Sequence, residues 1–440
     1  MELNVASWDN AKQRLCQYSR RQPENSAYYR ILYNYREEFE LRWEELFKQD
    51  YGYLRPEVLK SFDAYLNCGI LRHGCALACC ENCSHYELIA FSCKKRVICP
   101  SCDAKRAHVF AQGLQDRTLL PFVHKHGVFT LPKRLRKFFM FDRELIAELY
   151  QASWQAYNDY LNSILPGKAA AIIALHSAGS FLQWHPHLHG IFLLGSIDDE
   201  GNFHLLEQLD TELIAEYFAE NVFNLLLKKD LITEDSITEM KSWEHSGFSV
   251  WFGEDILPEN AEQRLFIARY LTKCPISLDR IELVDNPLSP SVRLYKDNER
   301  VEYIEMSPLE FLARLSQHIP PTSKRNHRRF GKYSYRSQGE SNKEAHLNAD
   351  QECNLELLEE EREERKSPSR YWATCMKQVF EIDPLICKEC GGQMQIKSFI
   401  HSQSEIKKLC KKKGLADWRA PPPIGQSEVA YLDTSPEYVQ

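Results

Sequence analysis

The stretch QWHPHLHGIFLLG, residues 183–195, decides how the rest of the chain is read. His185, His187 and His189 alternate and then run into an apolar segment that Gly195 closes. Alternation is the period of a β-strand, so His187 and His189 project from one face while Leu188 and Phe192 pack from the other. Two imidazoles fixed on a rigid strand make half of a metal site; the plainer alternative is a pair of half-buried strand histidines. Two residues compete as third ligand. His176 ends the preceding β-like run AAAIIALHS (169–177), and an adjacent antiparallel strand would bring it alongside the pair. His185 is nearer in sequence, but Pro186 is expected to turn the chain between it and the pair.

A second β-type run, HKHGVFTLP (124–132), is closed by Pro132. The stretch 141–165, FDRELIAELYQASWQAYNDYLNSIL, is helix-patterned with Asp142 as a cap, and residues 205–230 read as helix again. HSGFSVWF (245–252) is a further strand, and NAEQRLFIARYLTK (260–273) a helix stopped by Pro275. Strands and helices thus interleave between about residues 120 and 335, the signature of one α/β or α+β domain. Residues 1–67 place aromatic and apolar side chains such as Phe39, Leu41, Trp43 and Leu46 at helical spacing. Between Glu352 and Lys366 seven acids face three bases, so residues 338–370 read as an acidic, solvated helix or linker. A small C-terminal module, 371–440, follows.

The chain has 440 residues, 43% of them hydrophobic and 27% charged, a composition close to the globular average that excludes collagen-like, wholly disordered and membrane-embedded classes. The longest apolar runs, such as Ala169–Leu175, fall far below the roughly 18 residues needed to span a bilayer, and no basic-then-apolar leader opens the chain, so a cytoplasmic location is expected. Fifty-five Lys and Arg against 62 Asp and Glu give −7, so any case for nucleic acid has to be local.

Nine of the fifteen cysteines lie before residue 103, in close-spaced pairs that indicate metal in a reducing compartment. The strongest pattern is Cys80-x2-Cys83, fifteen residues, then Cys99-x2-Cys102, which predicts four thiolates around one structural Zn²⁺ in a module spanning 68–112. Cys75, Cys79 and Cys93 lie in the same segment; Cys79 is an alternative to Cys80, and His85 a weaker substitute. In the tail, Cys387-x2-Cys390 is half a site, to be completed by Cys375, His401 or Cys410, or else a turn with two free thiols.

Positive charge gathers beside the cysteines. From Cys93 to Lys137 eleven bases, Lys94, Lys95, Arg96, Lys105 and Arg106 among them, meet only Asp103 and Asp116. The stretch PPTSKRNHRRFGKYSYRS (320–337) carries Lys324, Arg325, Arg328, Arg329, Lys332 and Arg336 with no acid, and interleaves Phe330, Tyr333 and Tyr335 that suit base stacking. Two such stretches in an acidic chain point to DNA or RNA, through phosphate contacts. Tyr270 lies on the predicted 260–273 helix with Lys273 three residues on, sharing a face, so a cation there would steady a phosphate near the phenol. A core aromatic is the simpler alternative for Tyr270 taken alone.

The collinear blocks FSCKKRVICPSC (91–102), HGVFTLPKRLR (126–136), WHPHLHGIFLLG (184–195), FIARYLTKCPIS (266–277) and DPLICKECGGQM (383–394) resemble the rolling-circle transposases of the insertion-sequence-91 family, within the HUH (His-hydrophobic-His) endonuclease superfamily. The likeness covers most of residues 60–400. It implies an α+β fold, an HUH-type antiparallel sheet with flanking helices over 120–337. It implies that His187 and His189, with His176 at the polar third position, hold Mg²⁺ or Mn²⁺, and that Tyr270 is the nucleophile. It matches Cys80, Cys83, Cys99 and Cys102 to the family's zinc module, and it implies DNA, single-stranded or extruded at element ends, as substrate. Some relatives carry a second tyrosine one helical turn earlier; here that position is Phe266, so a single-tyrosine enzyme is implied.

Overall fold

The computed structural model describes residues 22–286, 289–322, 324–337 and 385–421, so the acidic stretch 338–370 and Cys375 lie outside the described residues. In chain order the strands are β1 (Cys75–Cys80), β2 (Tyr86–Ala90), β3 (His124–Thr130), β4 (Ala170–Ala178), β5 (Trp184–Leu193), β6 (Gly195–Ile197), β7 (Phe203–Leu205), β8 (Ser249–Ile256), β9 (Ile281–Val284), β10 (Ser291–Tyr295), β11 (Tyr303–Met306), β12 (His327–Gly331) and β13 (Met394–Ile400). Helices and antiparallel sheets interleave, an α+β fold.

The central sheet has the order β12-β4-β5-β3-β8, with every pairing antiparallel. Strand alternation gives β5 two different faces. Leu188, Phe192 and Leu194 enter a core shared with the helices Leu145–Asn162 and Thr211–Lys228. Ile191 and Leu193, in phase with His187 and His189, enter a second core built with the helices Pro100–Arg117 and Ala261–Tyr270 through Ala111, Leu114 and Ala268. Helices therefore cover both faces of the sheet, and the histidines sit beyond the apolar end of one of them. Gly127 and Gly190 are opposed in register, and a Cβ on either would fall 2.7 or 2.5 Å from the Phe192 ring, so glycine is required for that ring to lie across the strands.

The helix Ala27–Leu46 starts at Ser26, whose hydroxyl accepts the Tyr29 amide hydrogen, and buries Tyr28, Tyr29, Ile31, Leu32, Phe39 and Trp43. Phe39, Trp43 and Phe47 follow the four-residue spacing of one helix face; Leu41 is off that face and 83% exposed, so the apolar stripe is narrower than the sequence suggests. This helix does not stand apart. It shares a core with the helix Pro308–His318 and with the three-stranded sheet β11-β10-β9, and Arg30 pairs with Asp285 at 2.7 Å.

A third sheet has the order β13-β1-β2, so the segment 385–421 adds its strand to the cysteine-rich hairpin. The helix Gln403–Lys413 closes that unit by packing Ile406 and Cys410 on Leu71, Cys75, Leu88 and Ile400. Among the described residues no helix is long and apolar enough to cross a membrane.

Candidate active site

Register brings the three imidazoles together. His176 on β4 lies directly opposite His187 on β5, and Ala174 opposite His189, so His176 joins the face that carries the pair. Ring centroids are 4.2 Å apart for His176 and His189, 4.9 Å for His187 and His189, and 5.7 Å for His176 and His187. Each residue offers a ring nitrogen, and these three atoms lie within 4.8 Å of one another.

The hydrogen bonds select which nitrogens are free. Nδ1 of His187 donates to its own strand's His185 carbonyl at 2.7 Å, which leaves Nε2. Nε2 of His176 donates to the Leu271 carbonyl at 3.2 Å, which leaves Nδ1. His189 bonds through Nδ1 to His126 Nε2 at 3.0 Å, and its own Nε2 is buried with no partner. A buried imidazole nitrogen without a partner is costly unless something binds it, and a cation does. Burial, with the neighbouring imidazoles second, pulls His176 down to about 3 and His189 down to about 2; burial also lowers His187. All three are therefore neutral at physiological pH, the form that ligates metal. The donor set fits a divalent ion.

His185 does not join the cluster. The expected turn at Pro186 is absent: β5 runs unbroken from Trp184 to Leu193, and the proline's missing N–H is absorbed where the β4–β5 register shifts between His176 and Ala178.

Tyr270 is the last residue of the Ala261–Tyr270 helix, which Asn260 caps and Ala268 anchors to the sheet. Its ring lies 5.2 Å from His189, 5.3 Å from His176 and 5.8 Å from His126, centroid to centroid. The His176–Leu271 bond ties this helix end to β4 one residue beyond the phenol. Burial raises the Tyr270 phenol above its ordinary value. Lys273 is exposed, with Nζ 5.9 Å from the Tyr270 ring centroid. Phe266, one turn before Tyr270, is 61% exposed.

Two residues with no role assigned from sequence complete the site. His126 repeats the alternate spacing of the β5 histidines in the sequence His124-Lys-His126, which was the available signal. Trp251 on the edge strand β8 is 53% exposed and meets His126 edge-on at 5.8 Å; nothing in its local sequence distinguishes it from a strand aromatic.

The cysteines correct the expected zinc site. Cys99 and Cys102 gather with Cys68 and Cys93, not with Cys80 and Cys83. Sγ of Cys68 is 3.8 Å from that of Cys99 and 3.9 Å from that of Cys102, and Cys93 lies 3.6 Å from Cys102. The reason is the β1–β2 hairpin: it carries Cys80 and Cys83 out to its tip, while its two ends return Cys68 and Cys93 to the start of the Pro100–Arg117 helix, where Cys99 is the cap. Cys80 and Cys83 instead meet Cys387 and Cys390. Cys79 joins neither cluster, His85 bonds to Glu87 at 2.8 Å, His401 meets the Phe91 ring at a tilt, and Cys410 is buried beside Cys75.

The basic stretches meet, since the Arg96 guanidinium donates to the Lys324 carbonyl. Arg106 is turned inward, to Asp103 at 2.6 Å and the Lys94 carbonyl at 2.6 Å, and so braces the cysteine loop. Lys94, Lys324, Arg325 and Arg328 are exposed; Lys95, Lys105 and Arg329 are half-buried. Arg325 and Arg329 both stand 4.9 Å from the exposed Tyr335 ring. Phe330 and Tyr333 are not open to bases: Phe330 stacks on Trp154 at 5.3 Å, and Tyr333 is buried with its hydroxyl on His124. Phe330 on β12 packs against one core of the sheet, and Tyr333, two residues beyond β12, enters the other.

Comparison with known proteins gives the same order of parts. Residues 38–131 match the family model described as "Transposase zinc-binding domain", and residues 170–341 the one described as "Putative transposase". The chain is 27% identical over 371 residues to the "Transposase for insertion sequence element IS801" of Pseudomonas savastanoi pv. phaseolicola, covering 80% of this chain and 86% of that protein. It is 23% identical over 308 residues to "Putative transposase y4qJ" of Sinorhizobium fredii (strain NBRC 101917 / NGR234), covering 64% and 75%. No solved structure matches. Two transposase models in tandem, and a transposase relative aligned along four-fifths of the sequence, establish that the chain belongs to the insertion-sequence-91 family of transposases.

Proposed function

We infer that the protein nicks and rejoins single-stranded DNA at the ends of an insertion element, through a 5′-phosphotyrosine on Tyr270, in the manner of an HUH-type rolling-circle transposase. The observation that carries this reading is the Tyr270 ring set against His176 and His189, with a buried, unpartnered His189 nitrogen beside it. His176, His187 and His189 would hold Mg²⁺ or Mn²⁺; three imidazoles favour Mn²⁺ in vitro, because Mg²⁺ prefers oxygen donors. A divalent cation held there would supply charge neutralisation for the scissile phosphate.

The chain's own residues do the rest. The Tyr270 oxygen gives up its phenolic proton and forms the new bond to phosphorus as the bond to the 3′ oxygen breaks, and the 3′ oxygen takes up a proton to leave as a 3′-hydroxyl, so no proton is gained or lost overall. The phosphodiester is conserved, so the reverse step rejoins the strand. Lys273 is exposed beside the phenol, where an ammonium meets the approaching phosphate. The exposed rings of Trp251 and Phe266 offer faces for unpaired bases, and the joined basic loops at Arg96 and Lys324 offer phosphate contacts. With phenylalanine at 266, one tyrosine serves each round of cleavage. The zinc module around Cys68, Cys93, Cys99 and Cys102 would read the element's ends, and we place the reaction in the cytoplasm.

The test is cleavage of a single-stranded element end by the full chain in Mn²⁺ or in EDTA, followed by polymerase extension of the upstream fragment. Metal-dependent cleavage with an extendable 3′ end, lost in His187→Ala, is expected. DNA binding without cleavage would leave only a DNA-binding metalloprotein.

A further inference from the structure

Of the described sulfurs outside the Cys68 cluster, four come together in a cluster of their own. Cys80 ends β1 and Cys83 lies within the β1–β2 turn, and Cys387 and Cys390 belong to the turn that precedes β13. β1 and β13 pair antiparallel from Cys75 opposite Ile400 to Cys80 opposite Met394, so the two turns meet at the same end of the sheet. Sγ of Cys80 is 3.5 Å from that of Cys390, and Sγ of Cys83 is 3.7 Å from that of Cys387. All four ligand atoms lie within 4.8 Å of one another, and all four cysteines are free thiols.

Each turn is shaped to point its sulfurs inward. The Asn82 amide donates to Cys80 Sγ at 3.4 Å. In the other turn the Cys387 amide donates to the Gly392 carbonyl at 2.8 Å and the Gly391 amide to the Cys387 carbonyl at 2.8 Å, with Gly391 at φ +70°, where glycine is favoured. A Cβ at Gly392 would fall 2.6 Å from the Asn82 side chain, so the two turns approach as closely as glycine permits. Beside them Glu87 of β2 takes Lys388 at 2.6 Å and His85 at 2.8 Å, a second contact between the turns' surroundings.

A cluster of four thiols from two CxxC turns is the donor set of a closed tetrahedral Zn²⁺ site. The geometry assigns Cys80, Cys83, Cys387 and Cys390 to a second structural zinc, whose ligands come from two segments some 304 residues apart and which clasps the C-terminal strand onto the N-terminal cysteine-rich hairpin. The matched zinc-binding model ends at residue 131 and contains neither Cys387 nor Cys390. The metal thus makes one unit out of parts that the sequence separates.

The test counts thiolate-bound metal on the full chain. Titration of the zinc-loaded wild-type protein with a mercurial, which displaces only sulfur-bound zinc, is expected to release two equivalents; one equivalent would overturn the proposal. In the cobalt-loaded protein the sulfur-to-cobalt charge-transfer band should fall to half in Cys387→Ser/Cys390→Ser, whereas an unchanged band would overturn it. The wild-type titration stands even where that variant folds poorly.

Discussion

His126 reaches His189 between the paired strands β3 and β5, and that bond occupies Nδ1 of His189 and leaves Nε2 as the nitrogen that a cation would meet. His126→Ala should therefore weaken Mn²⁺ binding by about 10–100-fold, the usual loss when an outer partner of a metal-bound histidine is removed. Titration of the full chain with free Mn²⁺ followed by EPR checks this, and wild-type affinity would contradict the orienting role. A second buried histidine sets a pH limit. His318 donates from Nε2 to the Leu182 carbonyl at 2.9 Å, accepts at Nδ1 from the Ser177 hydroxyl at 3.0 Å, and stacks on Trp184, over which Arg143 lies. Burial pushes it down to about 4, so the unfolded chain binds the proton more tightly. Its stabilisation is complete above the unfolded value near 6.5 and is lost as pH falls toward 4, at about 1.4 kcal/mol per pH unit. His318→Gln should flatten the fall in unfolding free energy between pH 6 and 5 by roughly that amount; denaturant titrations at the two pH values measure it, and an unchanged slope would contradict it.

At the scale of elements, alternation and register account for the imidazole site. The period-2 pattern in residues 183–195 was legible because it is local, and the position of His176 beside the pair was legible because an antiparallel hairpin places it opposite His187. The Tyr270 helix was legible from its spacing, although only the packing against β4 and β5 sets the phenol beside His176 and His189. The zinc cluster was misread for a physical reason: CxxC spacing marks a turn that can hold a metal, but which turns share one metal depends on the hairpin between them. Phe330 and Tyr333 were misread likewise, since aromatic residues on an edge strand and in the turn after it also serve to pack that segment onto the protein core. Cys68→Ser should accordingly remove metal from the first site and destabilise the protein by several kcal/mol, because structural zinc sites are worth roughly 10–16 kcal/mol of apparent binding. Cys79→Ser, outside both clusters, should stay within about 1 kcal/mol of wild type. Zinc content and thermal unfolding of the two variants distinguish the residues; equal effects would contradict the cluster assignment.

Over the whole molecule, parts distant in sequence close on one another. The N-terminal helix shares a core with Pro308–His318, the Arg96 loop meets Lys324, and β13 completes the sheet begun by β1. None of these contacts has a local signature, so the sequence suggests separate modules where the structure builds shared ones. The imidazoles, the phenol and the joined basic loops all belong to this assembly, and the reaction proposed for it is attack on DNA by Tyr270. The most direct measurement incubates the full chain with Mn²⁺ and a 3′-end-labelled single-stranded element end, denatures it, and maps the label by peptide mass. A labelled protein band on the peptide containing Tyr270, absent in Tyr270→Phe, is the predicted result; cleavage with no labelled protein, or a band that persists in Tyr270→Phe, would contradict it.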